Sequence, residues 1–256
     1  CIYSIEPSGG TIMKTLIFAK RNMKEISRDL LSLFFGVAFP ILLLLLLTLI
    51  QSNIPGDAGP FAIEKLAPGI AIFSLSFVSL FSGLLISKDR YSSFMLRLKS
   101  SPMKASDFIF GYILPLIPMA IIQTTVCFLC ALCLGLKADI SIIYAILASL
   151  PAALLFIGMG ILCGSLFNEK QVGGACGALL TNISAWLSGI WFDVALVGGW
   201  FETIANALPF VHAVNVGRFI IAHDYTQVFP ELLWVIGYTI VIIGVSIYIF
   251  MKKVNH

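Results

Sequence analysis

Six stretches of about twenty predominantly apolar residues, each nearly free of charge, decide what this chain can fold into. A bilayer's hydrocarbon core is roughly 30 Å thick and takes about 20 such residues per helical crossing. The stretches are 30–50, 68–87, 107–134, 140–167, 172–192 and 231–251. Only 11% of the residues are charged and 59% are hydrophobic, whereas soluble domains carry about a quarter charged residues. The expected fold is therefore an all-α integral membrane protein with six transmembrane helices. Pro40 predicts a kink in the first span, and Pro115, Pro118 and Pro151 predict kinks or tilt in the long third and fourth.

Orientation follows from the lysines and arginines, because short cytoplasmic loops carry the excess of positive charge. With both termini inside, Lys14, Lys20, Arg21, Lys24, Arg28, Lys88, Arg90, Arg97, Lys99, Lys104, Lys170, Lys252 and Lys253 are cytoplasmic, which is 13 of the 16. Lys65, Lys137 and Arg218 remain outside. The net charge of +3 thus reports topology, and no nucleic-acid partner is expected, since the cations flank spans instead of forming one basic face. Residues 1–12 lack the basic start and apolar middle of a signal peptide. Met13-Lys14 reads as the natural start, so 1–12 is expected to be a non-native or disordered leader and 13–256 the membrane domain.

The motifs that invite chemistry are weak. Cys127, Cys130 and Cys133 turn through a wide arc of an apolar helix without a nearby fourth ligand, and with Cys163 and Cys176 they read as small packing residues. No metal site is expected. The histidines, His212, His223 and His256, make no HExxH or similar constellation, so the chain is not expected to be an enzyme. An intramembrane enzyme and a non-transporting membrane scaffold or sensor are the competing classes.

Gly160 with Gly164, Gly173 with Gly177, and the face Ser76, Ser79, Ser82 and Gly83 are small-xxx-small patterns that allow helix backbones to approach closely. Weakly polar groups of this kind can also line a path for mostly apolar cargo. Ser76, Ser79, Gln123, Thr124, Thr181 and Asn182 are candidates for such lining, as are Pro209, His212 and Arg218 at its outer end. Ahead of the first span, residues 14–29 read as an interfacial helix with Leu16, Met23, Ile26 and Leu30 along one side and Lys20, Arg21, Lys24 and Arg28 on the others. The inner loop 88–106 reads as a short amphipathic helix ended by Ser101 and Pro102, a lever joined to two spans. The outer stretch 193–230 is too polar to span and too apolar to dangle in water, which predicts short re-entrant helices before span six.

This arrangement resembles the ABC-2 type (type V) permeases, the transmembrane subunits of ABC exporters, over nearly the whole chain from Met13. Lys88-Asp89-Arg90-Tyr91-Ser92-Ser93-Phe94-Met95-Leu96-Arg97-Leu98 and Ser101-Pro102 match that family's inner loop in outline, with Tyr91, Ser92 and Ser93 replacing its second acid and Gly-Thr. Gly160 to Phe167, Ser188-Gly189-Ile190-Trp191-Phe192, Leu208-Pro209-Phe210, His212 and Arg218 follow in the family's order. The resemblance implies a coupling helix between spans two and three. It also implies a separate ATP-binding subunit holding ATP and Mg, since this chain lacks GxxxxGK[ST] and carries no cofactor of its own.

By the same resemblance, the ATPase pushes on Asp89, Arg90, Tyr91, Phe94, Leu96, Arg97, Ser101 and Pro102, with Glu169 as a secondary contact. The permease works as a homodimer or beside a paralogous permease, in a bacterial plasma or inner membrane among lipid. The implied activity is outward export of a hydrophobic or amphipathic compound, such as a drug, antibiotic, peptide or lipid, of the multidrug-efflux kind.

Overall fold

The computed structural model describes residues 8–29, 34–53, 61–90 and 105–255. Twelve helices and two π-helical segments make one bundle, with no strand among the described residues. They are α1 (Ser8–Ile26), a π segment Phe34–Ala38 leading into α2 (Phe39–Ser52), α3 (Ile63–Arg90), α4 (Ala105–Cys133), α5 (Ser141–Ala148) and α6 (Leu150–Leu166). Then follow α7 (Glu169–Val172), a π segment Gly173–Leu180, α8 (Thr181–Leu187), α9 (Val194–Val197), α10 (Gly199–Ala207), α11 (Pro209–Ile221) and α12 (Tyr225–Asn255). Among the described residues five runs are long and apolar enough to cross a membrane: Phe34–Ser52, Ile63–Arg90, Phe108–Cys133, Ser141–Leu166 and Tyr225–Lys253. The fold is that of an all-α integral membrane protein.

The fifth expected span, 172–192, misses that criterion, and the reason is its place in the bundle. The run from Glu169 to Leu187 lies antiparallel along α3. Cβ atoms built on Gly69, Gly177 and Gly83 would fall 3.2, 3.3 and 2.7 Å from Ile190, Leu80 and Val172 respectively. As numbers rise on one helix they fall on the other, so the run traverses the bundle from end to end. It tolerates Thr181 and close-packed glycines because that face meets α3 instead of lipid, while Asn182 lies on its exposed side.

At the centre stands α3, with 89% of its most apolar stretch buried, against 17% for α12. It meets α6 at the small residues. A Cβ on Gly160 would lie 2.2 Å from the Ser79 carbonyl oxygen, and one on Gly164 would lie 2.6 Å from that of Gly83. The pairs 79/160 and 83/164 keep one offset, so α3 and α6 are parallel. α12 also runs parallel to α6, since Thr239 Oγ1 donates to Pro151 O at 3.0 Å and Ser246 Oγ to Gly158 O at 2.7 Å. Each hydroxyl also reaches a carbonyl on its own helix, Val235 and Ile242. Because they have that second acceptor, Thr239→Val and Ser246→Ala are expected to cost only about 0.6 kcal/mol each, seen as a small drop in the thermal midpoint of detergent-solubilised protein.

Several boundaries move. α1 begins at Ser8, inside the expected 1–12 leader, and α12 begins at Tyr225, six residues before Glu231, with Pro230 inside its first turns. Against the rest of the bundle α1 covers Phe18, Ala19, Asn22 and Ile26, while Met13, Leu16 and Ile17 stay clear of other protein. A polar Asn22 in the covered stripe hid that face from hydropathy alone. The kink expected at Pro151 falls at Ser149, between α5 and α6.

The pair α10 and α11 bends by 77°. At its elbow Tyr238 Oη donates to Ala207 O at 2.6 Å and Phe210 stacks on Phe156 at 6.0 Å. The far end of α11 meets the start of α3, where Arg218 Nε reaches Lys65 O at 3.2 Å. Short helices with a sharp bend thus occupy the stretch before α12, a geometry that fits either a broken span or a re-entrant pair.

Candidate functional site

The end of α3 carries the densest cluster of charge. Asp89 is 2% exposed, a position a carboxylate holds only when paired and hydrogen-bonded. Arg21 supplies the pair from α1, with Nη1 to Oδ2 at 2.8 Å and Nη2 to Oδ1 at 3.0 Å, and Tyr112 Oη on α4 donates to Oδ2 at 3.0 Å. One turn along α1, Glu25 takes Arg21 at 2.7 Å and Lys88 at 2.8 Å. Burial opposes the charge on Arg21, but Asp89 and Glu25 outweigh it and raise the guanidinium's pKa.

The neighbouring packing is tight. Asn22 Nδ2 donates to Gly111 O at 2.9 Å, and Phe18 lies edge-on to Tyr112 at 5.0 Å. Phe250 of α12 approaches Tyr112 at 6.1 Å. Four elements, α1, α3, α4 and α12, are thus gathered on one buried carboxylate. Next to it opens a cleft of about 760 Å³, walled by Lys24, Glu25, Arg28 and Glu169 and floored by Phe81 and Leu85.

Of the residues expected to couple to an ATPase, Asp89 lies in this node and Glu169 beside it. Arg90 adjoins the node, and its Nη1 donates to Gly164 O at 2.8 Å, one of the carbonyls left open at the end of α6. Tyr91, Phe94, Leu96, Arg97, Ser101 and Pro102 lie outside the described residues.

The residues proposed as path lining separate into two groups. Ser76, Ser79, Gln123 and Thr124 are buried between helices. The hydroxyls of Ser76, Ser79 and Thr124 donate to carbonyls of their own helices, and Thr181 does the same to Cys176 O at 2.9 Å. Gln123 Nε2 donates at 2.6 Å to Gly36 O in the first π segment. Asn182, by contrast, is exposed, on the same run as Leu179 and Trp186.

Pro209, His212 and Arg218 all lie on α11 but are not brought into one site: Pro209 starts the helix and Arg218 stands near its far end. Arg218 Nη2 donates to Gly189 O at 2.8 Å, binding α11 to the end of α8. It borders a cavity of about 850 Å³ lined also by Trp191, Phe192, Asp193, Glu202 and Asn206. His212 bonds Glu231 through Nδ1 and Asn206 O through Nε2, the latter at 2.8 Å, and stacks on Trp234 at 5.1 Å. In the loop before α5, Asp139 accepts from Ser141 N at 3.0 Å, which holds its carboxyl below the usual range.

Arg21, Glu25 and Tyr112 at one end, and Glu231 and Trp234 at the other, were not expected as site residues. The i, i+4 spacing of Arg21 and Glu25 is visible in sequence, but Arg21 meets Asp89 across 68 positions, which no local pattern records.

A profile of the family described as ABC-2 type transporter matches residues 13–221. ABC transporter G family member 20 of Dictyostelium discoideum is 22% identical over 212 residues, which is 80% of this chain and 29% of that relative's own length. The matched region takes in α2 through α11 together with most of α1, and the chain belongs to the ABC-2 type transporter family.

Proposed function

We propose that this chain is the permease of an ATP-driven exporter that moves a hydrophobic or amphipathic compound outward, and that the node around Asp89 transmits the stroke of a separate ATP-binding subunit. The observation that carries this reading is the location of the node. Asp89 is the penultimate residue of α3, immediately before the loop where the resemblance puts the coupling helix, and its bonds to Arg21 and Tyr112 join that loop's root to α1 and α4. A push on the loop is therefore passed to several elements at once.

The proposed topology has six crossings, with the Glu169 to Leu187 run as the fifth, the α10–α11 hairpin re-entrant, and both termini inside. The charge bias supports it, since 13 of 16 lysines and arginines then face the cytoplasm. The membrane is a bacterial plasma or inner membrane, and two permeases work together as a homodimer or with a paralogue. Asn182, exposed on the fifth crossing, and the cavity beside Arg218 are the residues left to meet cargo. ATP and Mg bind the partner subunit.

Two measurements test this. A cysteine placed at Ser93 is expected to resist an impermeant thiol reagent on intact cells and to react after permeabilisation. Tagged permease is expected to co-purify with an ABC ATP-binding subunit encoded beside it and to stimulate its hydrolysis when an amphipathic compound is added. Labelling on intact cells overturns the topology, and the absence of any such subunit supports the scaffold class instead.

A further inference from the structure

The hydrogen-bond roles around His212 do not balance for a neutral ring beside an ionised Glu231. The Nε2 atom faces the carbonyl oxygen of Asn206 at 2.8 Å, and a carbonyl only accepts, so Nε2 carries a proton. Nδ1 faces a carboxylate oxygen of Glu231. Two lone pairs cannot make that bond, so a proton lies between them as well, formally on the imidazole or on the carboxyl. The other carboxylate oxygen takes Asn215 Nδ2 at 3.4 Å. His212 and Glu231 have side chains only 11% and 19% exposed, and Trp234 covers the ring face in parallel at 5.1 Å.

We infer that His212 and Glu231 form a proton-binding site that fastens the α10–α11 hairpin to α12. With its proton bound, one ring holds three elements: α10 through Asn206, α11 through its own backbone and α12 through Glu231. When the proton leaves, a lone pair on Nδ1 confronts an anionic carboxylate, and the His212–Glu231 bond becomes a repulsion, while Tyr238 to Ala207 O and Asn215 to Glu231 remain between the hairpin and α12. This fastening is thus present at lower pH and lost as pH rises. Among the described residues no other titratable group is bonded to His212: α10 offers a backbone carbonyl, and α11 offers the Asn215 amide to the same carboxylate. Arg218, six residues on, is held by Gly189 and Lys65. The site is independent of the exporter reading, because it concerns only how the hairpin is held.

The test is nitrogen NMR of ring-labelled histidine in the full chain, in nanodiscs, with the His212 signals identified by their absence from His212→Gln. At pH 7 both ring nitrogens are expected to be protonated or to share a proton with Glu231. That proton should leave in one step, above the value of about 6.5 at which an ordinary imidazole titrates. In Glu231→Gln the amide can donate to Nδ1 of a neutral ring, so the fastening persists without the extra proton. The thermal midpoint of the wild type is therefore expected to fall between pH 7 and pH 9 while that of Glu231→Gln stays level. A neutral His212 at pH 7 that titrates at or below about 6.5 overturns the proposal, as does the same pH dependence of the midpoint in both proteins. The wild-type spectrum alone decides if the variant does not fold.

Discussion

Gly160→Ala is expected to disrupt the bundle more than any other single-methyl change among the described glycines. The added Cβ would stand 2.2 Å from Ser79 O, 2.9 Å from Ser79 C and 2.7 Å from Ser82 Cβ. Two of these three atoms belong to the backbone of α3, so no rotamer change relieves the contact and the helices themselves must part. Parting them opens the best-packed contact in the core and stretches the bond from Ser82 Oγ to Ile157 O, now 3.2 Å.

Overpacking of this kind costs about 1–3 kcal/mol, which for a chain of this size is a fall of roughly 2–12 °C in the thermal midpoint. Gly164→Ala, with its Cβ 2.6 Å from Gly83 O, is expected to behave similarly, and Gly160→Leu to prevent accumulation of folded protein. Gly244→Ala is the control, because nothing lies within 4 Å of its Cβ, and a glycine-to-alanine change in an open helical position is neutral or mildly stabilising. The comparison is made by size-exclusion chromatography of heated, detergent-solubilised samples. Equal midpoints for Gly160→Ala and Gly244→Ala would show that α3 and α6 do not meet at these residues.

The two faces of that contact were legible in sequence, although not that they meet each other. Gly160, Gly164, Ser79 and Gly83 form complementary small-xxx-small faces, and the four-residue period is a property of one helix at a time. The apolar spans were legible for a similar reason, since a bilayer imposes its thickness on each helix separately. The serines of α3 show where such reasoning stops. A serine in a lipid-free groove could donate to its own helix, to a neighbour or to cargo. Ser76 and Ser79 do the first, and Ser82 does the second, and only the third dimension separates the cases.

The same limit applies to charge. Arg21 has the composition of an interfacial cation and Asp89 that of a loop acid, yet they make one buried pair because α1 folds back across α4. Glu231 reads as the first residue of a span, but α12 starts at Tyr225, which carries the carboxylate inward to His212. Local periodicity fixes an element's face to within a turn; its electrostatic partner depends on tertiary placement.

The Arg21–Asp89 pair makes a prediction whose sign depends on exposure. The two side chains differ greatly, with 37% of Arg21 and 2% of Asp89 accessible. Arg21→Ala removes the two-point partner of a buried anion, whereas Asp89→Ala leaves a guanidinium that keeps Glu25 and can reach water. Removing the partner of a buried charge costs about 3–5 kcal/mol; losing a bond from a group that can be resolvated costs about 1–3 kcal/mol. Arg21→Ala is therefore expected to be the more damaging change, although arginine is the more exposed partner.

The double variant removes the buried anion along with its cation and is expected to be more stable than Arg21→Ala alone, close to Asp89→Ala, an interaction term a double-mutant cycle measures directly. Under the exporter reading, the double variant should still bind the ATP-binding subunit through the loop beyond Arg90 but lose stimulation of hydrolysis by cargo, since α1 no longer follows α3. Thermal midpoints of the four proteins and hydrolysis rates of their complexes are the required data. If the two single effects simply add, Arg21 and Asp89 do not act as a pair, and the node cannot be the element that carries motion from the loop into the bundle.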